Sequence, residues 1–121
     1  MQIEVKGRNL QVTDELREVV ARRFDKVGKQ VSELATLHVE LSEERNGTSP
    51  RSQVAEATLR LKGVTLRAKD SSKDVRHAIN LASEELARQV KRHRDKRRNR
   101  REARAFTPPA EDADAGTRPA V

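Results

Sequence analysis

Residues 54–68 read VAEATLRLKGVTLRA, and their periodicity sets the fold class. Ala55, Ala57, Leu59 and Leu61 alternate with Val54, Glu56, Thr58 and Arg60, the two-residue period of a strand with one buried face and one wet face. Lys62 and Gly63 interrupt the alternation, and Val64, Leu66 and Ala68 resume it. The stretch therefore predicts two antiparallel strands joined by a two-residue turn. Upstream, residues 36–42 repeat the period, with Leu37, Val39 and Leu41 set against His38, Glu40 and Ser42. Between these runs, residues 43–52 carry Asn46, Gly47 and Pro50 and predict a loop. The three strands form a meander whose outer face shows His38, Glu40, Glu56, Thr58, Arg60, Thr65 and Arg67, polar on every strand. Its apolar face needs a cover.

The cover comes from both flanks. Ile3 and Val5 alternate with polar neighbours over residues 2–6, a further strand that should end at Gly7. Thr13 offers an N-cap hydroxyl, with Asp14 and Glu15 in the first turn, where the helix dipole favours carboxylates. Leu16, Val19, Val20, Phe24, Val27 and Val31 then recur at helical spacing and predict one helix. On its wheel Arg22, Lys26 and Lys29 fall within about 60° of one another. After Ala68, Ser71 or Ser72 is the expected cap of a second helix, with Asp74 in its first turn; Val75, Ala78, Ile79, Ala82, Leu86 and Val90 mark its buried face. The order is β-α-β-β-β-α. A crossover helix sets the first two strands parallel. The expected fold is α+β: a four-stranded sheet with two helices packed on one face, similar to double-stranded RNA binding domains.

Charge is distributed unevenly over this frame. From Arg88 to Arg104 the chain holds ten basic and two acidic residues, a net +8, whereas the remainder holds 16 basic and 17 acidic residues, a net −1. Past Val90 the apolar stripe stops while helix-forming residues continue, so a basic helix end is expected to meet solvent or a partner. A dense like-charged segment repels itself and is neutralised by a polyanion, of which nucleic acid is the commonest with regular spacing. A solvated charged surface would have the same composition, but this run continues a folded amphipathic helix.

Other compositions exclude other chemistries. Only Phe24 and Phe106 are aromatic, so base stacking on a sheet surface has no side chains to use, and recognition must proceed by charge and shape. His38, His77 and His93 lie well apart along the chain, with no metalloprotease motif, nucleophile elbow or glycine-rich phosphate loop beside them. Glu43 with Glu44 and Glu84 with Glu85 are adjacent pairs and do not oppose one another across a cleft; Glu84 stands one turn before Arg88, so an ordinary i,i+4 ion pair and a polyanion contact are both open readings of Arg88. No enzymatic site, metal, cofactor or small-molecule substrate is expected. A domain this small has little room for both a core and a deep cleft. Cysteine is absent and no apolar stretch approaches the roughly 18 residues of a membrane span, which suits a cytoplasmic protein with no membrane partner. The expected organisation is an α/β domain over residues 1–98, a basic helix extension over 99–106, and a disordered Pro, Ala and acid-rich tail over 107–121.

Three stretches, in order, resemble one family. Residues 86–96, LARQVKRHRDK, are similar to the LxRQLxKHKDK stretch of the ribosome hibernation promoting factors, also called the sigma-54 modulation or ribosome-associated inhibitor family. Ile3, Gly7, Asn9, Leu10, Val12, Thr13, Leu16 and Arg17 look like that family's opening pattern, and Asp74, Val75, Ala78, Ile79 and Asn80 resemble its D-[MV]-Y-x-A-I segment, with Arg76 where the family usually has Tyr. The resemblance implies the same β-α-β-β-β-α fold. It also implies binding to the small ribosomal subunit, in the channel that otherwise holds messenger and transfer RNA, with translation inhibited during stress or stationary phase. By matching position, Arg23, Lys26, Arg88, Lys91 and Arg92 would face ribosomal RNA phosphates. Adding the neighbouring cations, the candidate RNA-binding set is Arg22, Arg23, Lys26, Lys29, Arg88, Lys91, Arg92, Arg94, Lys96, Arg97 and Arg98. The family's long members carry a further domain that pairs ribosomes. This chain resembles a short member, monomeric when free, or the first part of a longer protein. Two rival classes fit the same residues: a general duplex RNA or DNA binding module, and a protein-interaction or transcription-modulating factor.

Overall fold

In the computed structural model, which describes residues 1–44 and 52–105 and side chains through Arg101, four strands stand side by side in sequence order. They are β1 (Gln2–Arg8), β2 (Thr36–Glu44), β3 (Ser52–Leu61) and β4 (Val64–Ser72). β1 and β2 are parallel, and the other two pairings are antiparallel. The register lines the apolar residues up in rows. Ile3, Leu37, Leu59 and Leu66 form one row, and Val5, Val39, Ala57 and Ala68 the next. A slip of one residue would turn a strand's whole apolar set to water, so the pattern itself specifies the pairing.

The helical segments are α1 (Asp14–Arg23), α2 (Asp25–Gly28) and α3 (Val75–Ala105). Val19, Val20, Phe24 and Val27 from the first crossover, and Ala78, Ile79, Ala82, Leu86 and Val90 from α3, form one core cluster with the apolar rows of the sheet. All helical segments thus cover one face, as the single apolar side of each strand requires. β1, β2 and β4 run in one direction and β3 in the other. α1 and α3 therefore start from the same end of the sheet, where Arg76 Nη2 lies 3.0 Å from Glu15 Oε1 and joins their first turns.

Local details depart from the sequence expectation in three places. The helix expected to continue past Phe24 breaks there: Phe24 has φ −91° and ψ 4°, in the bridge region, and its ring is fully buried. The ring stays in the core while the backbone changes course, leaving Val31 outside the helices and Lys29 as the C-cap of α2. The cap of the second long helix is Asp74, neither Ser71 nor Ser72. β4 extends through both serines, which pair with Val54 and Gln53, and Asp74 Oδ1 accepts the Arg76 N–H at 3.1 Å. Strands are also longer than expected: β1 passes Gly7 to Arg8, and β2 and β3 remain paired to Glu44 and Ser52. Residues 45–51 of the expected loop, and the tail at 107–121, lie outside the described residues.

The remaining turn chemistry follows the sequence. Thr13 caps α1, its Oγ1 accepting the Leu16 N–H at 3.2 Å. Leu61 pairs with Val64 across the Lys62-Gly63 turn, where Gly63 has φ +81° and Lys62 a negative φ, the requirement of a type II turn. Residues Met1–Lys91 make one compact unit and those from Arg92 a second, with α3 contributing to both.

Candidate nucleic-acid interface

In the first unit the cations are placed by what their neighbours bury. Val19 and Val20 enter the core, so Arg22 and Arg23 in the last turn of α1 face solvent, where a helix C-terminus favours positive charge. Lys26 is exposed on α2, and Lys29 pairs with Asp25 at 3.2 Å. The break at Phe24 means that Arg22, Lys26 and Lys29 do not share one helical wheel, as a single continuous helix would have required. On α3, Leu86 and Val90 are buried and Arg88 and Lys91 are exposed.

Arg88 pairs with Glu85 and not with Glu84. Its Nε and Nη2 both donate to Glu85 Oε1, at 3.2 and 2.6 Å, and this hydrogen bonding raises the Arg88 pKa above the ordinary arginine value. Both spacings, three and four residues, are neighbours on a helix surface. Here Glu85 is the half-buried member, and its Oε2 accepts from Gln89 Nε2 at 3.2 Å. Reading the sequence for cations alone passes over Glu85 and Gln89. Their i+3 and i+4 spacing around Arg88 carries the signal.

In the second unit Arg92, Arg94, Lys96, Arg97 and Arg98 are all exposed, as are Arg100 and Arg101. Arg98 pairs with Asp95 at 3.1 Å. The spacing that buries Leu86 and Val90 continues through His93, Arg97 and Arg100, so positions that would extend an apolar stripe are basic instead. Among the described residues, Arg22, Arg23, Lys26, Lys91, Arg92, Arg94, Lys96 and Arg97 have no carboxylate partner within ion-pair distance. Exposed ion pairs such as those of Lys29 and Arg98 contribute on the order of 0–1 kcal/mol and are easily exchanged for a phosphate.

The uncovered face of the sheet has a different character. Glu4, Lys6, His38, Glu40, Glu56 and Thr58 line a shallow depression there, and His38 Nδ1 lies 3.2 Å from Glu4 Oε1. Acids and bases are mixed on this face. Among the described residues no group of three or more His, Cys, Asp or Glu is placed to hold a metal ion, and no helix is long and apolar enough to cross a membrane.

Sequence comparison extends over the same ground. The chain is 31% identical over 99 residues to a ribosome hibernation promoting factor of Acinetobacter guillouiae, covering 78% of this chain and 88% of that protein. It is 30% identical over 96 residues to the factor of the same name from Escherichia coli strain K12, covering 79% and 96%. Against a ribosome hibernation promotion factor of Lactococcus lactis the identity is 34% over 96 residues, and the match covers 50% of that longer protein. The N-terminal domain of Protein Y from Thermus thermophilus superposes with a TM-score of 0.66 at 29% identity, covering 77% of this chain and 99% of that one. A ribosomal subunit interface protein from Coxiella burnetii shares the fold, with a TM-score of 0.65 at 19% identity over 78% of this chain and 99% of its own. The model of one family matches residues 3–98, from the first strand to the last of the candidate cations, and the chain belongs to that family, the sigma 54 modulation protein / S30EA ribosomal protein family.

Proposed function

We propose that this protein is a ribosome hibernation factor of the cytoplasm. It binds the small ribosomal subunit in the messenger and transfer RNA channel and inhibits translation during stress or stationary phase. The observation that carries this reading is that, among the described residues, eight of the eleven candidate cations are exposed without a carboxylate partner, on a chain whose relatives are named ribosome hibernation promoting factors. In the first unit Arg22, Arg23, Lys26, Lys29, Arg88 and Lys91 meet ribosomal RNA phosphates; in the second Arg92, Arg94, Lys96, Arg97 and Arg98 do so. Residues 1–98 are then the ribosome-binding domain, and 99–106 extend its basic helix.

The mechanism is occupancy. Lysine and arginine neutralise phosphates and release counterions, and within the first unit the core-packed helical segments fix where Arg22, Arg23, Lys26, Lys29, Arg88 and Lys91 stand. With no aromatic platform on the sheet, bases are not read by stacking. A protein seated in the channel excludes messenger and transfer RNA without breaking a bond in either.

Sucrose gradients test the reading. Purified protein should co-migrate with isolated small subunits at one chain per subunit and stay bound when excess duplex RNA is added. Complete displacement by that competitor would instead mark a general duplex RNA binding module.

A further inference from the structure

We infer that Glu85 is a positioning residue for Arg88, holding its guanidinium by one edge so that the opposite edge is presented to a ribosomal RNA phosphate. The inference rests on the ribosome reading above. A carboxylate beside a polyanion-binding arginine is unfavourable by charge alone, so its presence calls for a compensating role.

The geometry supplies one. Arginine carries five N–H donors in a planar fork. Nε and Nη2, which share one edge, are both committed to Glu85 Oε1 at 3.2 and 2.6 Å. The other edge, made by Nη1 and the second Nη2 hydrogen, has the spacing that suits two oxygens of one phosphate. Glu85 is itself held. Its Oε2 accepts from Gln89 Nε2 at 3.2 Å, and Gln89 Nε2 also donates to the backbone carbonyl of Arg67 at 2.6 Å. Arg67 lies on β4, one of the two edge strands. A continuous chain of hydrogen bonds therefore runs from the sheet through Gln89 and Glu85 to Arg88. The side chain of Glu85 is 36% exposed against 63% for Arg88, so the carboxylate sits on the protein side of the guanidinium. Arg88 loses its rotamer freedom on folding instead of on binding, which preorganises the contact. The partnerless cations Arg22, Arg23 and Lys91 have no such anchor.

Charge and positioning predict opposite signs for one substitution. Glu85→Ala removes a negative charge near bound RNA, and by electrostatics alone binding should tighten. Positioning requires it to weaken by roughly three- to tenfold, the effect of one freed side chain, with Glu85→Gln losing less. Dissociation constants for purified small ribosomal subunits should be measured over a potassium chloride series for the wild type, Glu85→Ala, Glu85→Gln, Arg88→Ala and the double variant Glu85→Ala/Arg88→Ala. Circular dichroism melts confirm that each stays folded. The expected result is weaker binding by Glu85→Ala with an unchanged salt slope, and no further loss when Arg88 is already alanine. Binding by Glu85→Ala as tight as or tighter than wild type, or an equal loss in both backgrounds, overturns the positioning role while leaving the ribosome reading intact. Wild-type affinity for Arg88→Ala overturns this inference while leaving the ribosome reading intact; failure of the wild type to bind the subunit overturns both.

Discussion

Gly7 is the next-to-last residue of β1, just before the turn that leads to α1, and there is no room for a side chain. A Cβ there would lie 2.1 Å from the Leu10 carbonyl oxygen and 2.9 Å from Val12 Cγ2, with Asn9 two residues on in the left-handed region at φ 61°. Since the nearest atom is backbone, the turn itself must move, and Gly7→Ala should destabilise the fold by roughly 1–3 kcal/mol in urea denaturation. A change within about 0.3 kcal/mol would show that the turn yields freely. Single residues were unequally legible. Thr13 announced its cap because it stands alone before an apolar helical period. Ser71, Ser72 and Asp74 are all good caps, and the choice among them depends on where β4 stops pairing with β3, a tertiary fact. Likewise Glu84 and Glu85 are equivalent partners for Arg88 by spacing, and only the Gln89 bridge to β4 separates them.

Elements were legible wherever a period met a layer. The alternation in β2, β3 and β4 gives both the strands and their buried face, because each strand meets the core on one side only. The spacing of Ala78, Ile79, Ala82, Leu86 and Val90 gives α3 for the same reason. The break between α1 and α2 was not legible. The apolar spacing of Val20, Phe24 and Val27 reads identically through a straight or a bent segment, and the bend arises where the Phe24 ring seats in the core. Removing that ring should test its weight. Phe24→Ala is expected to cost roughly 3–5 kcal/mol, a large part of the stability of a small domain, measured by chemical denaturation. A cost below about 1 kcal/mol would mean the cavity collapses and the ring does not set the bend.

For the whole molecule, charge asymmetry is the property most directly visible in the sequence: a net +8 between Arg88 and Arg104 on a chain otherwise near neutral. The cations themselves could be listed from sequence. Which of them lack carboxylate partners could not, because that depends on side-chain geometry around each helix. If about five phosphates are neutralised on binding, affinity for the small subunit should fall with a log-log salt slope of roughly −4 to −5. A slope near zero would indicate an apolar interface. The most direct measurement is co-sedimentation of the triple variant Arg88→Glu, Lys91→Glu and Arg92→Glu with small ribosomal subunits. These side chains are exposed and lie off the buried positions Leu86 and Val90, so the variant should keep the wild-type circular dichroism spectrum and melting behaviour. It should remain in the supernatant while the wild type pellets with the subunit. A folded triple variant that pellets as fully as the wild type would contradict the proposed interface.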